Sequence, residues 1–124
     1  MADKNVVRSK MSERRRLRVR SKIKGTTQRP RLTVSKSLKN VTVQIVDDTL
    51  HKTLVGLSSS SSVMAGVIDA KDNKTVRAGK VGMKLAELAK EKGIEAVVFD
   101  RNCNRYHGRI KAVAEGARKG GLVF

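Results

Sequence analysis

The sequence predicts an α/β fold: a single domain of order β-β-β-α-β-α, a mixed sheet packed on two helices, with a basic N-terminal arm. Three observations predict it. Strand-like runs lie between residues 31 and 57, separated by short polar turns. The apolar period then becomes helical over about 73–92 and again over about 107–119. Between those helices stands a short apolar run, Ile94 to Phe99, which suits a strand buried on both faces.

The arm comes first in the chain. Residues 1–40 hold 14 Lys and Arg against 2 acids, a net of +12 out of +17 for all 124 residues. The densest stretch runs through Arg14, Arg15, Arg16, Arg18, Arg20, Lys22 and Lys24. Such a block repels itself in water and is stable beside a dense polyanion. Leu17, Val19 and Ile23 are too few to build a core, so the free arm is expected to be mobile, with a helix start near Ser12. Gly25 to Pro30 reads as a turn. Pro30 lacks an amide donor and suits the first position of a strand. The domain division that follows is 1–28 for the arm and 29–124 for the body.

The strands begin with Arg31 to Ser35, which places Leu32 and Val34 on one face. Val41 to Val46 places Val41, Val43 and Ile45 on one face, and Lys39-Asn40 forms the hairpin turn between the two. Asp47-Asp48 marks the next turn. Thr53 to Leu57 completes an antiparallel meander. The five serines from Ser58 to Ser62 read as a flexible loop. Val81, Leu85, Leu88 and Ala89 form the stripe of the first body helix, with Gly93 as its stop. A strand, a helix and a buried strand make a right-handed crossover, so the strand at 94–99 should join the sheet in parallel. Ile110, Val113, Ala114 and Ala117 form the second stripe, and Gly120-Gly121 ends that helix.

Composition narrows the functions. Phe99, Tyr106 and Phe124 are the only aromatics, so the core is aliphatic and a base-stacking platform is excluded. Cys103 is the sole cysteine, which rules out an internal disulfide and a cysteine-based zinc cluster and fits a reducing cytosol. No apolar run approaches the ~20 residues of a membrane span. The arm lacks the wide apolar face of a membrane-surface helix, and no helix-turn-helix, zinc module or zipper suggests a DNA reader. An intracellular, soluble RNA-binding protein is expected, with neither cofactor nor metal. A mitochondrial presequence is the alternative for the N-terminus, although Asp3 and Glu13 interrupt it.

In the body, Asp100 to Arg109 holds most of the polar chemistry. It follows the parallel strand, where open α/β sheets present ligand loops, and leads into a helix N-terminus that favours phosphate. Two readings are open from the local sequence: an RNA-contacting loop, or a solvated β-α loop with a capping Asn. An enzyme reading would group Asp100, Cys103 and His107. It lacks a nucleophile elbow, a phosphate-cradling glycine loop and metal-spaced ligands.

Several separated motifs resemble one family. They are Arg18 through Val34, then Ser37, Lys39, Gln44 and Asp47-Asp48; Ala89 through Ile94; Val97 through Arg101; Tyr106 through Ala112; and Ala117 through Phe124. In this order they resemble the bacterial large-subunit ribosomal protein L-eighteen family from about Arg14 to the end. The resemblance implies a non-catalytic constituent of the large ribosomal subunit that binds 5S rRNA and helps attach it to 23S rRNA in the central protuberance. Neighbours would include ribosomal protein L-five, in the cytoplasm. The arm would thread along RNA. Further contacts would come from Arg29 and Arg31, from Ser35, Lys36, Ser37, Lys39, Asn40 and Gln44 of the first hairpin, and from Arg101, Asn102, Asn104, Tyr106, His107 and Arg109. The chain departs from the family at Ser35 and Thr42, where aromatics are common, and at Asn102-Cys103-Asn104, where a Gly-Gly-Tyr run is common.

Overall fold

A computed structural model describes residues 4–124; the first three residues of the expected arm, Asp3 among them, lie outside the described residues. The elements are α1 (Lys4–Arg20), β1 (Arg31–Lys36), β2 (Val41–Asp47), β3 (Lys52–Ser58), α2 (Lys74–Glu91), β4 (Val98–Asp100) and α3 (Arg109–Lys119), with one short 3-10 turn at Ser62–Met64. The strand order is β3-β2-β1-β4. The meander is antiparallel, and β4 lies parallel to β1 with Leu32 opposite Phe99. This is the expected mixed sheet, and α2 and α3 cover one of its faces.

Period-two alternation sends Leu32, Val34, Val41, Val43, Ile45, Val55 and Leu57 to that covered face, where all are buried. Ala78, Val81, Leu85, Ala86 and Ala89 of α2 meet them, with Ile110, Val113, Ala114 and Ala117 of α3. The two helices cross on glycine. A Cβ on Gly82 would press on the Val113 carbonyl, and one on Gly116 on that of Gly79, so only hydrogen lets the backbones approach this closely. The carboxamide of Asn73 caps α2 by accepting the Val76 amide at 2.9 Å. Its C-terminus closes with Gly93 at φ 77°, while the Gly93 and Ile94 amides donate back to Lys90 and Ala89.

The structure differs from the sequence expectation at three places. First, the arm is a 17-residue helix from Lys4, neither a mobile segment nor a helix starting at Ser12. Lys, Arg, Met, Leu and Glu all have good helix propensity, and the side chains of Arg16 and Arg20 tie the helix to the body. Second, the serine segment is not merely a loop. Its 3-10 turn ends on Met64, which is fully buried in the core. Third, the fourth strand is shorter than expected and the chain end supports it: Val123 runs parallel beside Ala96, with the Val97 amide donating to the Val123 carbonyl.

Candidate nucleic-acid interface

The interface begins with a hub of fixed charge at the end of β4. Asp100 has no exposed side-chain surface. One of its oxygens accepts from Arg31 at 2.8 Å and from Arg20 at 3.1 Å; the other accepts the Asn102 amide at 2.8 Å. Arg31 also grips Asp48 with two nitrogens, at 3.0 and 3.1 Å. Burial pushes the Asp100 carboxyl up, but the Asn102 amide and the Arg31 and Arg20 guanidiniums outweigh it and hold the group below the usual carboxylate range. The hydrogen bond from Arg31 holds Asp48 low as well, and the Asp48 carboxylate in turn raises the Arg31 guanidinium above its ordinary value. Asp47 does turn work: it accepts the Thr49 and Leu50 amides and the Thr27 hydroxyl.

This hub decides which way α1 faces. Ser12, Arg16, Val19 and Arg20 are its half-buried residues, spaced four, three and one apart, which is one helical stripe. Arg16 donates to the Asn102 carboxamide at 2.6 Å. Arg14, Arg15 and Arg18 point elsewhere; they are exposed and, among the described residues, their side chains make no hydrogen bond or ion pair. Three free cations on one rigid helix form a row suited to phosphates.

The first hairpin adds a second element. Ser35, Lys36, Ser37, Lys39 and Gln44 are exposed, and Asn40 is half-buried. The turn closes on itself, with the Ser37 amide donating to the Asn40 carbonyl at 2.8 Å and the Asn40 amide to the Ser37 hydroxyl at 3.1 Å. Lys36 and Lys39 remain directed at solvent.

The loop after β4 is the third element. Asn102 is buried with φ 61°, and its side chain is held by Arg16 and Ser35. Arg101 donates to the Asn104 carbonyl, and the Asn104 carboxamide donates to that of Arg101. Tyr106 sits edge-on to Phe99 at 5.8 Å and is still exposed, as is His107. Arg109 donates to the Ser37 carbonyl at 2.8 Å, locking α3 to the hairpin. Gly108 precedes α3 with φ 59°, and no side chain caps that helix. The amides of its first turn therefore have no side-chain cap.

The three elements converge. Arg15 of α1, Lys36 of β1 and Asn104 to His107 of the loop enclose a polar cleft of about 680 Å³. Arg29 stands apart, at the lead-in to β1, where it donates to the Val97 carbonyl at 3.4 Å. Lys22 and Lys24 are exposed in the link after α1. Of the cations read from the sequence, Arg16, Arg20 and Arg31 are engaged with side chains of the protein, and Arg29, Arg101 and Arg109 donate to its backbone carbonyls. Cys103 and Arg105, not singled out in the sequence as contacts, line the cleft. Their place three and five residues past a strand end was the only signal. Asp100 and Asp48 were equally hard to find, because an anchor differs from a turn acid only in its distant partner.

A larger, more apolar cleft of about 720 Å³ along α2, with Val67 and Met83 in its walls, holds none of the expected contact residues. The grouping of Asp100, Cys103 and His107 as a nucleophilic site fails on geometry, since both Asp100 oxygens are engaged by Arg20, Arg31 and Asn102. Among the described residues, no three His, Cys, Asp or Glu side chains group to hold a metal ion, and no helix is long and apolar enough to cross a membrane.

Residues 6–124 match the model of the family described as ribosomal L18 of archaea, bacteria, mitochondria and chloroplasts. The chain is similar to the large ribosomal subunit protein uL18 of Chloroherpeton thalassium, 54% identical over 119 residues that cover 94% of this chain and 98% of the relative. It is similar to uL18 of Anaeromyxobacter sp. strain K, 54% identical over 112 residues covering 90% and 93%. The uL18 of Clostridium botulinum strain Loch Maree is 51% identical over 117 residues covering 94% and 95%.

Proposed function

This chain belongs to the ribosomal L18 family and is a structural constituent of the large ribosomal subunit, and from that premise we propose that it binds 5S rRNA and helps attach it to 23S rRNA in the central protuberance. Its working place is then the cytoplasmic ribosome, and its neighbours there include ribosomal protein L-five. Residues 1–28 act as the RNA-binding arm and residues 29–124 as the docking body.

The observation that carries the reading is the cleft shared by α1, the first hairpin and the 101–108 loop, each of which supplies a cation. Arg14, Arg15 and Arg18, with Lys22 and Lys24, neutralise phosphates and give affinity that falls with salt. Lys36, Lys39 and the loop residues Tyr106, His107 and Arg109 read the shape of the folded RNA, since the body has no aromatic platform for single-strand stacking. Arg16, Arg20, Arg31 and Asn102 hold the arm against the body and so set the angle at which these groups meet RNA.

The test is a competition titration at physiological salt, with labelled 5S rRNA against excess tRNA. The expected result is 5S binding that survives the tRNA. Tyr106→Ala, His107→Ala or Arg109→Ala should narrow the gap between the two RNAs. Equal competition by tRNA in the unaltered chain would sink the 5S assignment and leave a general nucleic-acid chaperone.

A further inference from the structure

The chain has two Phe, one Tyr and no Trp, and all three rings meet in one cluster. Phe99 stacks on Phe124, with ring centres 5.6 Å apart and planes 9° from parallel, and meets Tyr106 edge-on at 5.8 Å. Arg118, in the last turn of α3, closes this line of contacts into a circuit. Its guanidinium lies over the Phe124 ring, 4.5 Å from the centre. Its Nε donates to the Phe124 backbone oxygen at 3.3 Å, and a terminal nitrogen donates to the Tyr106 hydroxyl at 3.5 Å. The segment that carries Phe124 is itself fixed, since the Leu122 amide donates to the Ala117 carbonyl and the Val123 amide to that of Glu95. Phe99 and Phe124 are half-buried and pack on the core. Tyr106 differs: it is 43% exposed and forms part of the cleft wall.

Arg118 is not among the residues that line that cleft. A cation in the last turn of a helix suits the helix dipole, but the dipole would accept Lys equally well. The contacts here would not. Only a planar guanidinium can lie flat on one ring while its nitrogens reach two oxygens in different directions. The circuit also does something for Tyr106. A tyrosine at a surface turns among rotamers, and that freedom is lost when a ligand immobilises it. Here Phe99 holds the ring from one side and Arg118 holds its hydroxyl before any ligand arrives. We propose that Arg118 is a positioning residue for RNA recognition: it keeps Tyr106 in the pose in which the ring meets 5S rRNA, and it does so without touching RNA itself. This rests on the 5S rRNA reading above and names the group outside the cleft on which the selectivity of the cleft depends.

Tyr106 is the sole tyrosine in a chain without Trp, so the intrinsic fluorescence of the protein reports this ring alone. The experiment compares the full chain with Arg118→Ala and Arg118→Lys. It measures fluorescence anisotropy without RNA, the melting temperature, and affinity for labelled 5S rRNA and for tRNA over a range of salt. Both variants should melt close to the parent, since Ala and Lys suit a helix. Both should show lower anisotropy, as the ring gains freedom. Both should narrow the preference for 5S rRNA over tRNA by about three-fold, the worth of one pre-ordered side chain. The slope of log affinity against log salt should not change, because Arg118 meets no phosphate. A slope lower by about one in Arg118→Ala would make the residue a phosphate contact and overturn the proposal. Parent-like selectivity in Arg118→Lys overturns it too, because charge alone would then suffice, and so does unchanged anisotropy in Arg118→Ala. A large fall in the melting temperature of Arg118→Lys makes the residue structural and also overturns it. Equal affinity of the parent for both RNAs sinks the 5S reading and this role with it; equal selectivity in parent and variants, all preferring 5S rRNA, sinks this role alone.

Discussion

Asp100 shows how one side chain can organise an interface it never touches. It is fully buried, yet it binds two guanidiniums from elements 69 and 80 residues away in sequence. Removing its charge leaves Arg31 with Asp48 alone and frees Arg20. The cost is below that of breaking a fully buried pair, since the Arg20 side chain is 36% exposed and Asp48 still serves Arg31. Asp100→Asn is expected to destabilise the fold by about 2–3 kcal/mol, measured by urea unfolding. It should also loosen α1, seen as faster amide exchange along that helix. An unchanged exchange rate there would mean that Arg20 contributes nothing to docking.

At the scale of elements, α1 is unusual in how it is held. Few of its apolar side chains face the body: Val6, Val7, Met11 and Leu17 are all exposed. Directed polar bonds do the holding, so the helix carries its cations at a fixed angle without a hydrophobic seam. Arg14, Arg15 and Arg18 face away from the docked stripe and should act independently. Replacing all three by alanine is expected to flatten the slope of log affinity against log salt by about three, one for each phosphate left without its cation, and to leave the melting temperature nearly unchanged. An unaltered salt slope in an RNA titration would remove these residues from the interface.

For the molecule as a whole, acid is the condition that tests this architecture. Asp100 and Asp48 both have folded-state values below the ordinary carboxylate. Their contribution is therefore complete above about pH 4, where both states are ionised, and is lost as pH falls through the lower folded-state values. Unfolding curves between pH 7 and pH 2 should be level at first and then drop below about pH 4; the Asp100→Asn chain should drop less. The same two residues show where sequence reading stops. The alternation of Val41, Val43 and Ile45, the stripes of α2 and α3 and the stop at Gly93 are local patterns, and each was legible. The pairing of Arg31 with Asp100, the burial of Met64 beneath the serine turn and the docking of Arg16 on Asn102 join distant parts of the chain, and no local period encodes them. The loop at 101–109 was legible as a place and not as an arrangement, because its partners lie on α1 and the hairpin.

The strand order also has a consequence in time. A chain leaving the ribosome delivers its N-terminal part first. The β1–β2–β3 meander can close as soon as residue 58 emerges, since each strand pairs with its immediate successor. Its inner face, Leu32, Val34, Val43 and Ile45, then waits uncovered until α2 and α3 appear, and β1 keeps an open edge until β4 arrives. An apolar sheet with a free edge is the form that nascent chains use to stick to one another. Every such half-made molecule already carries the +12 charge of its first forty residues. Like charge works against association of such neighbours during that interval, a second use for the cations that the mature protein carries on α1.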